Sequence, residues 1–223
     1  MASLFVAVLP EADASAKTRA TIAVAANFLE PAQSLATRLE SETDYRYTFV
    51  SGSTGQLAVQ VLRGAPYDLF LAADETRPRT LALRLKTKPP FAYARGVLVL
   101  WNRLPNCREG SLADILTDSN LRRLAIADPA LSPYGKASDE VLERLKVTDQ
   151  LETRRVNGFS VAQVFSHAAT GNAQAALIAK SQVAKAAAIR GSDCFYELDT
   201  DLYEPILQFG LILPNGLENP AIS

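Results

Sequence analysis

The chain has 223 residues, 48% of them hydrophobic and 21% charged, with a formal net charge of −1 at pH 7. That is an ordinary globular composition, with room for one large domain or two lobes. Lys and Arg are scattered rather than gathered into a basic stripe, which argues against a nucleic-acid partner, and no apolar stretch is long enough to span a bilayer as a helix.

Residues 4–9 are apolar, and Ala14-Ser15-Ala16 has the small residues of a signal-peptidase site. No charged segment precedes the apolar run. Residues 1–19 are therefore expected to be the remnant of an export signal, with a stray strand or tail as the alternative, and are left out of the fold. Residues 21–25 then read as a buried strand. A helix follows, with Leu29, Ala32, Leu35, Ala36 and Leu39 on its apolar face. Asn27 is its expected N-cap, with Glu30 completing a capping box. Asn27 at this turn either only caps or also faces a ligand, and the turn alone favours the cap.

Residues 45–50 alternate as a strand and run into Ser51-Gly-Ser-Thr-Gly55. A helix carrying Leu57, Val61 and Leu62 follows, stopping near Gly64. Ser53 and Thr54 at its start, beside glycines, let an oxyanion approach the backbone. No Gly-Lys-Ser/Thr follows, so the turn is not a P-loop. Residues 68–73 form another buried strand, and 80–85 a helix. Residues 92–101 are a long apolar strand interrupted by Gly96, suited to crossing from one lobe to another. Ser111 opens a short helix.

Residues 124–127 are a strand leading into Ser132-Pro-Tyr-Gly135 and a helix with Ala137, Val141, Leu142 and Leu145 inward. This places Tyr134 at a helix start, where free N–H groups and the helix dipole favour an anion. Residues 154–157 are a short strand. Ser160 is expected to cap the next helix, and Val161 in its first turn reads as core by itself. Residues 175–179 form a strand, 182–189 a helix, and 203–213 a second long apolar run fit for a return crossing. Strands alternating with helices argue for α/β layers with largely parallel sheets. The helix starts at Asn27, Ser53/Thr54, Tyr134 and Ser160/Val161 would lie at strand carboxyl ends, where such sheets bind ligands.

Cys107 and Cys194 form an even pair, compatible with one disulfide in an exported protein or with two buried thiols. The single histidine, His167, lies within a helix pattern and reads as structural. With no CxxC, neither a zinc site nor a Cys–His nucleophile is expected.

Taken together, Ala25-Ala-Asn-Phe-Leu29, Ser51-Gly-Ser-Thr-Gly55, residues 64–74, residues 128–137, Ala169-Thr-Gly-Asn-Ala173 and Tyr203-Glu-Pro-Ile-Leu-Gln208 resemble the periplasmic molybdate-binding proteins of bacterial ABC transporters, the ModA family. The resemblance covers about residues 20 to 220. It implies an α/β, two-lobed type II periplasmic binding protein fold with two crossing strands. The expected lobes are 20–93 with 206–223, and 94–205. It also implies an oxyanion site of Ala26, Asn27, Ser53, Thr54, Tyr134 and Val161, the last through its backbone. Relatives often carry Ser or Thr where this chain has Ala26, which keeps an N–H but lacks a hydroxyl. Relatives also continue into a C-terminal helical segment before which this chain ends. The implied function is capture of molybdate, and of tungstate, and delivery to an inner-membrane ABC permease. The protein would be a periplasmic monomer with no cofactor, no protein-bound cation and no catalysis. The rival ligands are sulfate, phosphate or an organic acid on the same fold. An α/β enzyme using Ser53 or Tyr134 lacks a motif-placed base, and a transcription regulator's effector domain lacks a helix-turn-helix.

Overall fold

The computed structural model describes residues 18–222 other than 106, 108 and 109. The expected signal remnant lies outside the described residues, except for Thr18 and Arg19, which belong to the first strand. The first run of elements is β1 (Thr18–Ala25), α1 (Leu29–Glu42), β2 (Tyr45–Gly52), α2 (Thr54–Leu62), β3 (Leu69–Ala72), α3 (Thr76–Leu85) and β4 (Phe91–Gly96). Next come β5 (Leu98–Asn102), α4 (Leu112–Thr117), β6 (Leu124–Ala127), α5 (Pro133–Arg144), α6 (Thr148–Leu151) and β7 (Arg155–Gly158). The chain continues with α7 (Val161–Ala169), β8 (Ala175–Ala179), α8 (Val183–Ile189), β9 (Cys194–Glu197) and β10 (Ile206–Ile212).

The strands form two sheets, ordered β2-β1-β3-β10-β4 and β7-β6-β8-β5-β9. In each, three consecutive βα strands pair in parallel, and the next strand inward arrives from the other sheet and pairs antiparallel: β10 on β3, and β5 on β8. The sheets are thus mixed, whereas largely parallel sheets were expected. The same order occurs twice without a repeat in the sequence.

Each lobe has its own core. Trp101 is fully buried in the second, against the rings of Phe165 at 5.3 Å and Phe195 at 6.0 Å. Phe70, Leu57 and Leu81 fill the first. The apolar face expected for α1 is only partly used. Ala32 and Ala36 are buried, while Leu35 and Leu39 border an open apolar groove with Tyr47 and Phe49.

The first crossing occurs at Val97. Gly96 still pairs with Ile206 in the first sheet, and Leu98 already pairs with Ala179 in the second. The expected change of lobe at 93/94 therefore falls inside β4. A Cβ on Gly96 would lie 2.5 Å from the Tyr134 hydroxyl and 3.0 Å from Ile206 Cγ2, so only glycine fits. The return crossing runs through 198–205, and β10 itself lies wholly in the first sheet. A disulfide joins Cys107 to Cys194 with Cα atoms 5.8 Å apart, tying the chain after β5 to the start of its neighbour β9. His167 Nδ1 lies 2.9 Å from the Asn172 amide nitrogen, a bond between the end of α7 and the turn after it.

Candidate oxyanion site

The carboxyl ends of β1, β2 and β3 face those of β6 and β7 across the cleft between the lobes. A helix start follows each of these strands, and at α2, α5 and α7 the residue before the helix is a serine, a residue that favours the first helical turn. A small cavity lies where they converge. Ala26, Asn27, Ser53 and Thr54 line it from one lobe, and Tyr134 and Val161 from the other, so all the expected site residues reach it. Ser132 and Ser160 line it as well, which sequence reasoning did not assign. Both are the residues before α5 and α7, and neither hydroxyl caps its helix. Ser160 was expected to cap.

The polarity of the wall follows from what each group already bonds. Ser53 Oγ accepts the Gln56 N–H at 3.2 Å in a capping box, and Thr54 Oγ1 accepts the Ala73 N–H at 3.0 Å. A hydroxyl whose oxygen is so engaged still has its proton to give. Tyr134 lines the same cavity, with the Asn27 side chain and the Val97 N–H near enough to favour its ionised form, an effect that burial outweighs. Among the described residues, no hydrogen bond within the protein is made by the backbone N–H groups of Asn27, Thr54, Tyr134 or Val161. The Val161 carbonyl, by contrast, takes the Gln182 side chain at 3.3 Å. The wall therefore offers protons on all sides. It also holds no charge. Burial, then the neighbouring Tyr203, pushes the Tyr134 phenol far above its ordinary range, and the other lining residues do not ionise.

Two expectations need correction. The Ala26 N–H is not free: it donates to the Gly52 carbonyl at 3.0 Å, because the β1–β2 pairing runs one residue past the strand end. Ala26 thus shapes the cavity without donating to it. Asn27 does not cap α1, whose N-cap is Phe28 without a side-chain bond. Its amide instead donates to Gln208 at 3.0 Å, and its carbonyl accepts the Ser181 hydroxyl at 2.5 Å.

Several contacts cross the cleft without involving the cavity. Gly55 N–H donates to the Leu131 carbonyl and Arg77 to the Ala130 carbonyl, each at 2.9 Å. Lys185 pairs with Glu30 at 3.0 Å. The lobes are closed on one another.

Residues 20–223 match the family model of the bacterial extracellular solute-binding protein. The chain is 39% identical over 202 residues to the molybdate-binding protein ModA of Azotobacter vinelandii, covering 90% of this chain and 79% of that protein. It is 38% identical over 201 residues to ModA of Rhodobacter capsulatus, covering 89% and 77%. The solved structure of the Azotobacter vinelandii periplasmic molybdate-binding protein superposes with a TM-score of 0.83 at 31% identity, over 91% of this chain and 89% of that one. The chain belongs to the bacterial extracellular solute-binding protein family, in the ModA group.

Proposed function

We propose that the protein captures molybdate, and tungstate, in the periplasm as a monomer and delivers the anion to an inner-membrane ABC permease. Residues 18–96 with 206–222 form one lobe, residues 97–205 the other, and the anion sits between them. The carrying observation is the polarity of the cavity. The hydroxyls of Ser53 and Thr54 already accept protein donors, and free N–H groups stand beside them. A tetrahedral dianion finds donors there and no counter-charge, which suits charge-assisted hydrogen bonds from helix ends. A ligand that keeps a proton finds no acceptor for it, and a buried polar hydrogen without a partner is costly. The molybdate-binding relatives support the same ligand. Selection against smaller sulfate rests on cavity size.

Calorimetry of the purified chain against molybdate, tungstate, sulfate and phosphate tests this. Heat with molybdate and tungstate, and none with sulfate or phosphate at the same concentrations, is expected. Binding of sulfate or an organic acid in place of molybdate would overturn the ligand and leave the fold untouched.

A further inference from the structure

Ser132 and Ser160 occupy the same place in two βα units of the second lobe: each is the residue before a helix, and each lines the cavity. A serine there ordinarily turns its hydroxyl back to accept an N–H of the first helical turn. Neither does so here. The third helical residue is already served by the serine's own carbonyl. Gly135 N–H donates to the Ser132 carbonyl at 2.9 Å, and Gln163 N–H to the Ser160 carbonyl at 3.0 Å. The first residue of α5 is Pro133, which has no N–H to offer. Both hydroxyls are thereby released from the helices they precede.

The two residues are deeply buried, at 4% and 7% exposed. Among the described residues neither hydroxyl has a hydrogen-bond partner. A buried hydroxyl left unpaired is unfavourable. Yet neither oxygen is walled in, as the unpartnered Thr148 Oγ1 and Tyr196 Oη are, and the open space that both serines border is the cavity. The turns that carry them are held in place. Asp128 N–H donates to the Gly158 carbonyl, and Ser132 N–H to the Asp128 carbonyl, each at 2.8 Å. A Cβ on Gly135 would lie 2.4 Å from the Ala127 carbonyl oxygen, so the start of α5 is packed directly on the end of β6.

We propose that Ser132 and Ser160 are ligands of the anion through their hydroxyls, which turn to give their protons to the bound oxyanion. The proposal rests on the anion-binding reading of the cavity. It sets two kinds of hydroxyl against each other across the cleft. In the first lobe, Ser53 and Thr54 have their oxygens held by the N–H groups of Gln56 and Ala73. In the second lobe nothing within the protein holds the two serine hydroxyls, so the anion itself sets the direction of their protons. Each supplies a charge-assisted hydrogen bond that forms only when the ligand is present.

The test titrates Ser132→Ala and Ser160→Ala with sodium molybdate by calorimetry and follows the thermal unfolding of each without ligand. The dissociation constant of each variant should rise roughly tenfold to hundredfold, the loss expected of one donor to a charged ligand. The ligand-free unfolding midpoint should stay where it is or move up, because an unpartnered hydroxyl has been removed. A hydroxyl that served the helix as a cap would give the opposite sign, a lowered midpoint. A dissociation constant within about twofold of wild type overturns the assignment of that serine, and so does a loss of binding that comes with a lowered midpoint. Wild-type protein that gives no heat with molybdate but binds sulfate, with that binding weakened in both variants, would sink the ligand assignment and keep the two hydroxyls as ligands. Wild-type protein that binds neither anion overturns both.

Discussion

Tyr134 is where residue-level chemistry is most exposed to test. Tyr134→Phe removes one donor to a charged ligand, about 1.5–3 kcal/mol, and should raise the molybdate dissociation constant by one to two orders of magnitude as read by calorimetry. Burial keeps the phenol protonated, so wild-type affinity should be flat between about pH 6 and 9. The sign for stability follows from the same cause. Buried Tyr134 and Tyr93 both have phenols raised above the ordinary 10.0. Their contribution is fully present below that value and is lost as pH rises toward the folded-state values. Thermal unfolding should therefore weaken steeply above about pH 10 in the wild type, and less so in Tyr134→Phe. Residue types near the cavity were legible in the sequence: Ser53, Thr54, Tyr134 and Val161 all arrive there. The roles of Ala26 and Asn27 were not. Whether the Ala26 N–H is free depends on how far β1 pairs with β2, and the Asn27 amide answers to Gln208, a partner 181 positions away. Local spacing shows neither.

At the scale of elements, strand–turn–helix units were readable because β3, β6 and β8 are continuous apolar runs and β1 ends in one, with polar residues such as Asp68 and Asp128 marking where the runs begin or stop. β9 was not readable: Cys194-Phe-Tyr-Glu197 is a short edge strand whose place is set by pairing with β5. The start of α2 carries a second prediction. A Cβ on Gly55 would stand 3.0 Å from the Leu131 carbonyl oxygen and 3.2 Å from its Cα, both backbone atoms of the facing lobe. Gly55→Ala should leave folding intact, hold the lobes slightly apart and speed molybdate release in stopped-flow measurements. An unchanged release rate would show that this contact does not limit closure. The disulfide belongs to a single lobe. Replacing both Cys107 and Cys194 by Ser should lower stability by about 2–4 kcal/mol in urea unfolding, with molybdate binding retained in the folded protein.

For the molecule as a whole, closure rests mostly on backbone carbonyls, those of Leu131, Ala130 and Asn27, and among the described residues only the Lys185–Glu30 pair is an ion pair across the cleft. Both of its side chains are more than 40% exposed, at 59% and 45%. Such pairs contribute about 0.2–1 kcal/mol, so Lys185→Ala should change molybdate affinity by no more than about fivefold in calorimetry. A larger loss would give the pair a direct part in holding the anion. The position of β10 has a different kind of consequence, one of timing. The second sheet is built from one unbroken stretch, β5 to β9, whereas the first lacks its inner strand until Ile206–Ile212 has been made. Contacts distant in sequence form late because a long loop must close before they are rewarded. The second lobe can thus mature as soon as it emerges, while the first half of the chain waits, its β3 edge unpaired, for the last strand to arrive and seal the sheet.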